Sequence, residues 1–393
     1  MRKHNSAHGL VSVQKPSQPV IGIRRHAATA AAQFFSTRFP GRTLYAVKAN
    51  PSPDLLKTLF AAGVTDYDVA SLAEVRLVRK TLPDATLYFM HPVKPAEAIA
   101  EAYHQHGVRC FSLDTIEELE KIQAATQNAA DLTLCVRLQV SSAHSKLSLA
   151  AKFGATLDEA PAVLMAARQV ADSLGVCFHV GSQAMSPQAY SDALERVRGV
   201  IVKAGVTVDV IDVGGGFPSV YPGMEPPALQ SYFDVVKAGF ESLPISYSAE
   251  LWCEPGRALS AEYASIIVRV EKRRGDVLYI NDGAYGSLFD AAHVDWRYPV
   301  ALLRDSNTRL MEFSFYGPTC DDMDYMKGPF LLPADIAAGD YIEIGMIGAY
   351  GQAIKTNFNG FGTADLVQLM DAPMMTTYAD EAEVSARPVA KAE

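Results

Sequence analysis

A (β/α)8 barrel of the TIM type followed by a C-terminal β domain is the α/β fold this sequence predicts, on three observations. Short β-rich runs alternate with helix-period segments between about residues 43 and 257, which is the signature of parallel strands joined by helices. The runs number eight, enough to close a barrel. Polar residues collect at the C-terminal ends of those runs, the end that a closed barrel gathers onto one face.

The runs are "TLYAVKAN" from residue 43, "YDVAS" from 67, "TLYFMHPVK" from 86, "CFSLD" from 110, "LTLCVRLQV" from 132, "VCFHVGSQ" from 176, "VDVIDVGGG" from 208 and "ELWCEPGR" from 250. Between them, "SLAEVRLVRKTL", "DTIEELEKIQAA", "DEAPAVLMAARQVADSLG" and "AYSDALERVRGVIVKAG" read as helices, several introduced by Ser, Asp or Pro in a capping position. An open doubly wound sheet would share the alternation. The barrel is preferred because Lys48, Asp68, His91, Asp114, Arg137, His179, the glycines 214–216, Glu254 and Arg257 all fall at or just past strand ends.

The helical period stops after Arg257. "ASIIVRVEKRR", "DVLYINDG", "RLMEFSFYG" and "DYIEIGMIGAY" read as strands joined by turn-rich segments. The expected organisation is an N-terminal segment 1–22 contributing a strand to the β domain, a barrel over 23–257, a β domain over 258–362 and a flexible tail over 363–393.

Composition excludes several classes. Acidic side chains outnumber basic ones, 44 to 35, for a net charge of -9, which argues against general binding to nucleic acid or anionic membranes. No apolar run reaches the length needed to cross a bilayer, and "MRKHNSAHGL" lacks the apolar core of a secretory signal; the expectation is a cytoplasmic protein. Five cysteines without CxxC spacing indicate neither a disulfide framework nor a metal site. Cys110, Cys135, Cys177 and Cys253 lie in apolar runs and are expected in the core, whereas Cys320 in "YGPTCDDMD" is not.

A lysine is almost never buried without a partner, so Lys48 at the end of an apolar strand either snorkels outward or reacts. In the second case it is placed for a Schiff base with a carbonyl compound such as pyridoxal phosphate. A phosphate needs a cradle of backbone N–H groups, which "DVGGGFP" can supply, and an arginine, which "EPGRAL" supplies. Taken singly, the glycines read as a permissive turn, Glu254 as an ion-pair partner of Arg257, and His179 as a core imidazole. Together they suit a phosphorylated pyridine, with Glu254 beside the ring nitrogen and His179 against the ring face.

In this order, "YAVKAN", "YDVAS", "FHVGSQ", "DVGGGFP", "EPGR", "YGPTCDDMDYMKGPFLLP" and "GAYGQAIKTNFNGF" resemble the pyridoxal-phosphate-dependent ornithine and lysine decarboxylases of the alanine racemase fold type, the bacterial members above all. The likeness runs from about Val20 to Phe361. It implies pyridoxal 5'-phosphate as cofactor and a head-to-tail homodimer with active sites shared across the interface. It also implies Lys48 as the cofactor lysine and Glu254 as the ring-nitrogen partner, with His179 on the ring. Ser182, Gly215, Gly216, Arg257 and Tyr350 would hold the phosphate; Asp68, Glu74 and Arg137 match polar positions around lysine and cofactor. Cys320 would come from the partner subunit as the acid that protonates Cα, and Asp321 from the same loop would receive the distal ammonium of a diamino acid. Phe358 and Asn359 match a closing motif near the site. A further substrate carboxylate is expected within "NDGAYGSLFDAAHVDWRYP", at Asp290 or Asp295.

The expected reaction is decarboxylation of L-ornithine to putrescine, with lysine as the nearest rival because one methylene discriminates by only about 1–3 kcal/mol. A thiol is still mostly protonated at neutral pH and can return a proton to carbon. Diaminopimelate decarboxylase shares "HVGSQ" and "EPGR", but the family pattern there has glutamate where this chain has Asp321. Arginine and carboxynorspermidine decarboxylases are weaker relatives. Racemases of this fold place arginine at the ring nitrogen, against Glu254. A regulator that has lost its cofactor would not need Lys48, Glu254, Arg257 and Cys320 together.

Overall fold

A computed structural model of the chain describes residues 1–149 and 151–378. The strands Arg42–Ala46, Asp66–Val69, Thr86–Phe89, Cys110–Leu113, Thr133–Arg137, Ser173–Cys177, Val210–Asp212 and Glu250–Cys253 close into an all-parallel barrel. Each overlaps one of the runs read from the sequence, Ser173–Cys177 only in its last two residues. Closure joins the last strand to the first through Trp252 opposite Arg42 and Cys253 opposite Thr43.

Local chemistry starts and stops the surrounding helices. Ser71 and Thr115 cap Leu72–Thr81 and Ile116–Ala125 by accepting from the N–H groups of Glu74 and Glu118, the S/T-x-x-E arrangement that satisfies otherwise orphaned donors. Gly107 and Gly205 end Ala96–His106 and Gln188–Ala204 in the left-handed conformation. The expected helix "DEAPAVLMAARQVADSLG" is shorter than read. It spans Ala160–Arg168, and its last residues, from Ser173, already belong to a barrel strand. The inside of the barrel is filled by Leu44, Tyr88, Met90, Cys110, Cys135, Cys177, Val210 and Trp252. Three of the cysteines are thus core packing, and Cys253 is buried as well.

The second layer is a nine-stranded sheet built around the long strand Ala264–Arg274. That strand pairs antiparallel with Val20–Ile23, with Tyr341–Ile344 and with Val277–Ile280. The N-terminal residues enter the sheet twice, as Arg2–His4 and as Val20–Ile23, with the helix Ala7–Gln14 between them. Between Arg2–His4 and Val20–Ile23 lies Asp365–Leu369, parallel to both. The expectation of a loose tail from residue 363 is therefore corrected for 365–369, which complete the sheet, and for 371–378, where Asp371, Thr377 and Tyr378 bond to Arg24, Glu262 and Ala258; the part of that expectation from 379 lies outside the described residues. Buried Arg24 joins the pieces through ion pairs of 2.8 Å to Glu343 and to Asp371. Among the described residues no helix is long and apolar enough to cross a membrane.

Candidate active site

A cavity of about 390 Å³ opens at the C-terminal face of the barrel, within the range of small-molecule sites. Lys48, Asp68, His91, Arg137, His179, Ser182, Gly215, Gly216, Glu254 and Arg257 line it, all from strand ends or the segments that follow them. Asp114 does not; its carboxylate instead accepts from Gly154 N–H at 2.9 Å. The sheet domain contributes Tyr350, whose N–H donates to Ala49 O at 2.8 Å and so anchors it beside the lysine turn. Its φ of 64° is a left-handed conformation rare for a bulky residue, and such strain gathers at functional sites.

Lys48 lies in the short 3-10 turn Val47–Ala49 that leaves the first barrel strand. Its Nζ is 3.5 Å from the buried Asp68 carboxylate, while 41% of the side chain remains accessible through the cavity. Burial disfavours the ammonium, but Asp68 and Glu254 outweigh it and hold the lysine above its ordinary pKa. His179 accepts from Gly181 N–H through Nδ1 at 3.0 Å. Burial first, then the Lys48 and Arg137 charges, keeps its pKa well below normal, so the ring is a neutral, flat imidazole. Burial pushes Glu254 well above the carboxylate range, with Asp212 and Asp68 adding to it.

The triple glycine is required by close approach. A Cβ on Gly214 would meet Phe178 O at 2.0 Å, one on Gly215 would meet Glu254 O at 2.7 Å, and one on Gly216 would meet Gly181 O at 2.5 Å. Gly214 and Gly216 also have φ of 67° and 108°. Arg257 stands beside this bend, boxed by the rings of Trp296 at 4.2 Å and Tyr350 at 5.0 Å. It donates to Tyr221 OH at 3.2 Å and lies 3.5 Å from Asp290, yet its Nε is buried without an acceptor. A buried donor left unpaired beside a cavity suits an anion.

Residues 22–261 match the family model described as pyridoxal-dependent decarboxylase, pyridoxal binding domain. The chain belongs to the pyridoxal-dependent decarboxylases. It is 30% identical over 351 residues to lysine/ornithine decarboxylase of Selenomonas ruminantium, covering 87% of each chain. With ornithine decarboxylase of Schizosaccharomyces pombe it shares 31% over 353 residues, 83% of this chain and 77% of the relative. Antizyme inhibitor 2 of Xenopus laevis is similar too, 31% identical over 81% of this chain and 74% of the relative. Among solved structures, the Vibrio vulnificus lysine/ornithine decarboxylase complexed with cadaverine superposes with a TM-score of 0.80 at 28% identity, covering 94% of this chain and 100% of that one. The Paramecium bursaria Chlorella virus arginine decarboxylase bound to agmatine gives 0.81 at 26%, covering 92% and 98%.

The cofactor of this decarboxylase is pyridoxal phosphate, and the cavity fits it. The glycine bend whose Cβ positions are filled by backbone, the orphaned Arg257 Nε and the Ser182 side chain could hold the phosphate; Lys48, Glu254 and the neutral His179 could serve an aldehyde, a ring nitrogen and a ring face. Glu74 stands apart: it closes the cap at Ser71, its carboxylate accepting from Ala70 N–H at 2.7 Å.

The remaining expected residues form a second cluster. Cys320 and Asp321 border a different surface cavity, and neither lines the Lys48 cavity of their own chain. Cys320 is exposed and donates its backbone N–H to Asn359 Oδ1 at 3.1 Å. Asp321 accepts from Tyr285 OH and from Met323 N–H, which hold its carboxyl below the usual range, and Phe358 lies 4.9 Å from the Tyr285 ring. Asp290 and Asp295 depart from expectation. Asp290 is buried against Arg257, and Asp295 lines a separate cavity with Lys146, Arg297 and Glu312; neither reaches the Lys48 cavity. Sequence reasoning missed Tyr285, Tyr221 and Trp296. Tyr285 sits in "NDGAYGS", whose period-free pattern marks a functional loop but not which residue in it faces the acid.

Proposed function

We propose that this decarboxylase acts on a basic amino acid with a distal ammonium group, L-ornithine first and lysine second, releasing CO2 and the diamine. The observation that carries the reading is the pairing of two clusters: a cofactor cavity built on Lys48, Glu254 and Arg257, and an exposed loop presenting Cys320 beside Asp321. Since the loop does not line the cavity of its own chain, a second copy supplies it, and the active unit is a head-to-tail homodimer with two shared sites.

The bound cofactor supplies a conjugated, electron-poor ring that accepts the electron pair left on Cα when the carboxylate departs. Lys48 would tether that ring, with Asp68 3.5 Å from its Nζ. Glu254 would serve the ring nitrogen as a proton acceptor. Gly215, Gly216, Ser182, Arg257 and Tyr350 would hold the phosphate, and His179 would cover one ring face. Arg137 and Lys152 are further cations lining the cavity, available to a carboxylate or phosphate oxygen. Cys320 holds a proton at Sγ and returns it to Cα, after which bulk water reprotonates the exposed thiol. Asp321, ionised and held by Tyr285 rather than by a cation, offers an acceptor to the distal ammonium, because a carboxylate that becomes buried on substrate binding demands a positive partner.

A glutamate rather than an arginine at the ring nitrogen supports decarboxylation over racemisation. The likeness to an antizyme inhibitor raises a regulator as the second reading, and the intact set of Lys48, Glu254, Arg257 and Cys320 weighs against it. A competition assay giving relative kcat/KM for ornithine, lysine, arginine and meso-diaminopimelate tests the assignment. Ornithine is expected first, with lysine about 10- to 200-fold lower or closer. Preference for meso-diaminopimelate, or no CO2 from any of the four by protein that carries cofactor, would contradict it.

A further inference from the structure

A second carboxyl group, used by none of the steps above, lies behind Glu254. Asp212 ends the barrel strand Val210–Asp212, is 0% exposed, and pairs in register with Trp252, just before Glu254 on the neighbouring strand. The two strand ends are locked by the hydrogen bond from Glu254 N–H to Gly214 O, 2.8 Å. Asp212 Oδ1 accepts from Gly214 N–H at 2.8 Å, which shapes the start of the glycine bend. Its other oxygen, Oδ2, is buried with no donor in reach, and the polar group it meets is the Glu254 carboxyl.

An acceptor facing an acceptor makes no bond until one of them carries a proton. Two buried carboxyl groups side by side cannot both ionise, and such pairs share a proton. The other groups acting on the pair are Lys48, Arg137 and Asp68, with the buried thiols of Cys135, Cys177 and Cys253 around Asp212. Burial pushes both carboxyls up, Asp212 to about 6 and Glu254 well above the carboxylate range, and contact with Glu254 acts to lower Asp212, so with no cation in front of it Glu254 is the member that holds the proton. A pyridine nitrogen that keeps its own proton would put a positive charge before Glu254 and need it as an acceptor, which reverses that order and moves the shared proton to Asp212.

We propose that Asp212 is a positioning residue for Glu254: it carries the pair's one proton on Oδ2 and donates it to Glu254, keeping that carboxylate anionic and aimed into the cavity. The inference deepens the reading of Glu254 given above and rests on it. Asp212 touches neither substrate nor ring; it acts through Glu254 alone. Its neutral isostere should therefore work, since asparagine accepts from Gly214 N–H through Oδ1 and donates to Glu254 through Nδ2.

The test compares wild type, D212N, D212L and E254Q as holoenzymes, by infrared difference spectroscopy at neutral pH and by pyridoxal phosphate affinity. Wild type minus D212N is expected to show loss of one protonated-carboxyl band, and E254Q to shift that same band, because the acceptor facing Asp212 changes from a carboxylate to an amide oxygen. D212N should bind pyridoxal phosphate within about threefold of wild type, and D212L about tenfold or more weakly, the scale of one lost charge-assisted hydrogen bond. Absence of the band in wild type, its persistence in D212N, or loss of a separate band in E254Q would overturn the proton on Asp212 even if D212L failed to fold. An E254Q protein that turned over substrate like the wild type would overturn the role of Glu254 and that of Asp212 with it; E254Q impaired with the band unmoved would overturn Asp212 alone.

Discussion

Lys48 illustrates how far one residue can be read from its neighbours in the chain. A lysine closing an apolar strand is a local anomaly, and the same is true of an arginine and a glutamate placed three apart after "LWC"; strand-end placement then brings them to one face without any knowledge of tertiary contacts. That is why Lys48, Asp68, Arg137, His179, Gly215, Gly216, Glu254 and Arg257 are legible in the sequence; Ser182 and Tyr350 are reached only through the family resemblance, and all ten line one cavity. Asp212, Tyr221 and Trp296 are not legible in that way, because their importance lies in contacts with Glu254 and Arg257 across strands and loops that share no period. Asp290 and Asp295 could not be separated for the same reason: they lie in an irregular segment, around the five-residue helix Phe289–His293, where no repeat sets which way a side chain faces. At this scale the expectation is definite. Borohydride reduction of the holoenzyme should fix the cofactor on the peptide bearing Lys48, and Lys48→Ala should retain neither fixed cofactor nor measurable CO2 release; label on another lysine would refute the assignment.

Elements were legible where their signals are local. The capping serine and threonine at 71 and 115 and the left-handed glycines at 107 and 205 bracket helices, so the barrel alternation is visible in the chain. The strand Asp365–Leu369 was not, since its partners Arg2–His4 and Val20–Ile23 are at the opposite end of the sequence and a short strand carries no turn signature of its own. The glycine bend gives one prediction for an element. Gly216→Ala would place a Cβ 2.5 Å from Gly181 O at a φ of 108°, so it should destabilise the fold by more than about 2 kcal/mol and weaken cofactor binding, read by denaturant melts and absorbance titration. The segment after Asp365–Leu369 gives another. Buried Glu262 accepts from Thr377 N–H at 2.5 Å, and burial lifts its pKa from 4.5 to about 7. A carboxyl raised on folding binds more protons in the native state, so its contribution is fully present below pH 4.5 and lost as pH rises through 7. Glu262→Gln should therefore gain stability relative to wild type between pH 5 and pH 8, by up to about 3 kcal/mol. Parallel pH profiles of the two proteins would show that Glu262 does not titrate in this range.

At the scale of the whole molecule, the barrel supplies a cofactor cavity and the sheet domain supplies Tyr350 to its wall and the Cys320 loop to another surface. The distribution was visible in the order of the motifs, but the sequence could not say whether Cys320 folds back on its own barrel; the structure places it on a cavity that shares no residue with the Lys48 cavity. On the function proposed above, a complete site would need two copies of the chain, each lending its loop to the other. The central claim is that this composite site decarboxylates a diamino acid. Mixing inactive Lys48→Ala and Cys320→Ala proteins under conditions that exchange subunits tests it most directly. Hybrid dimers carry one intact site, so CO2 release from ornithine should return to about a quarter of the wild-type rate if subunits pair at random; proteins that demonstrably exchange subunits yet regain no activity would contradict it.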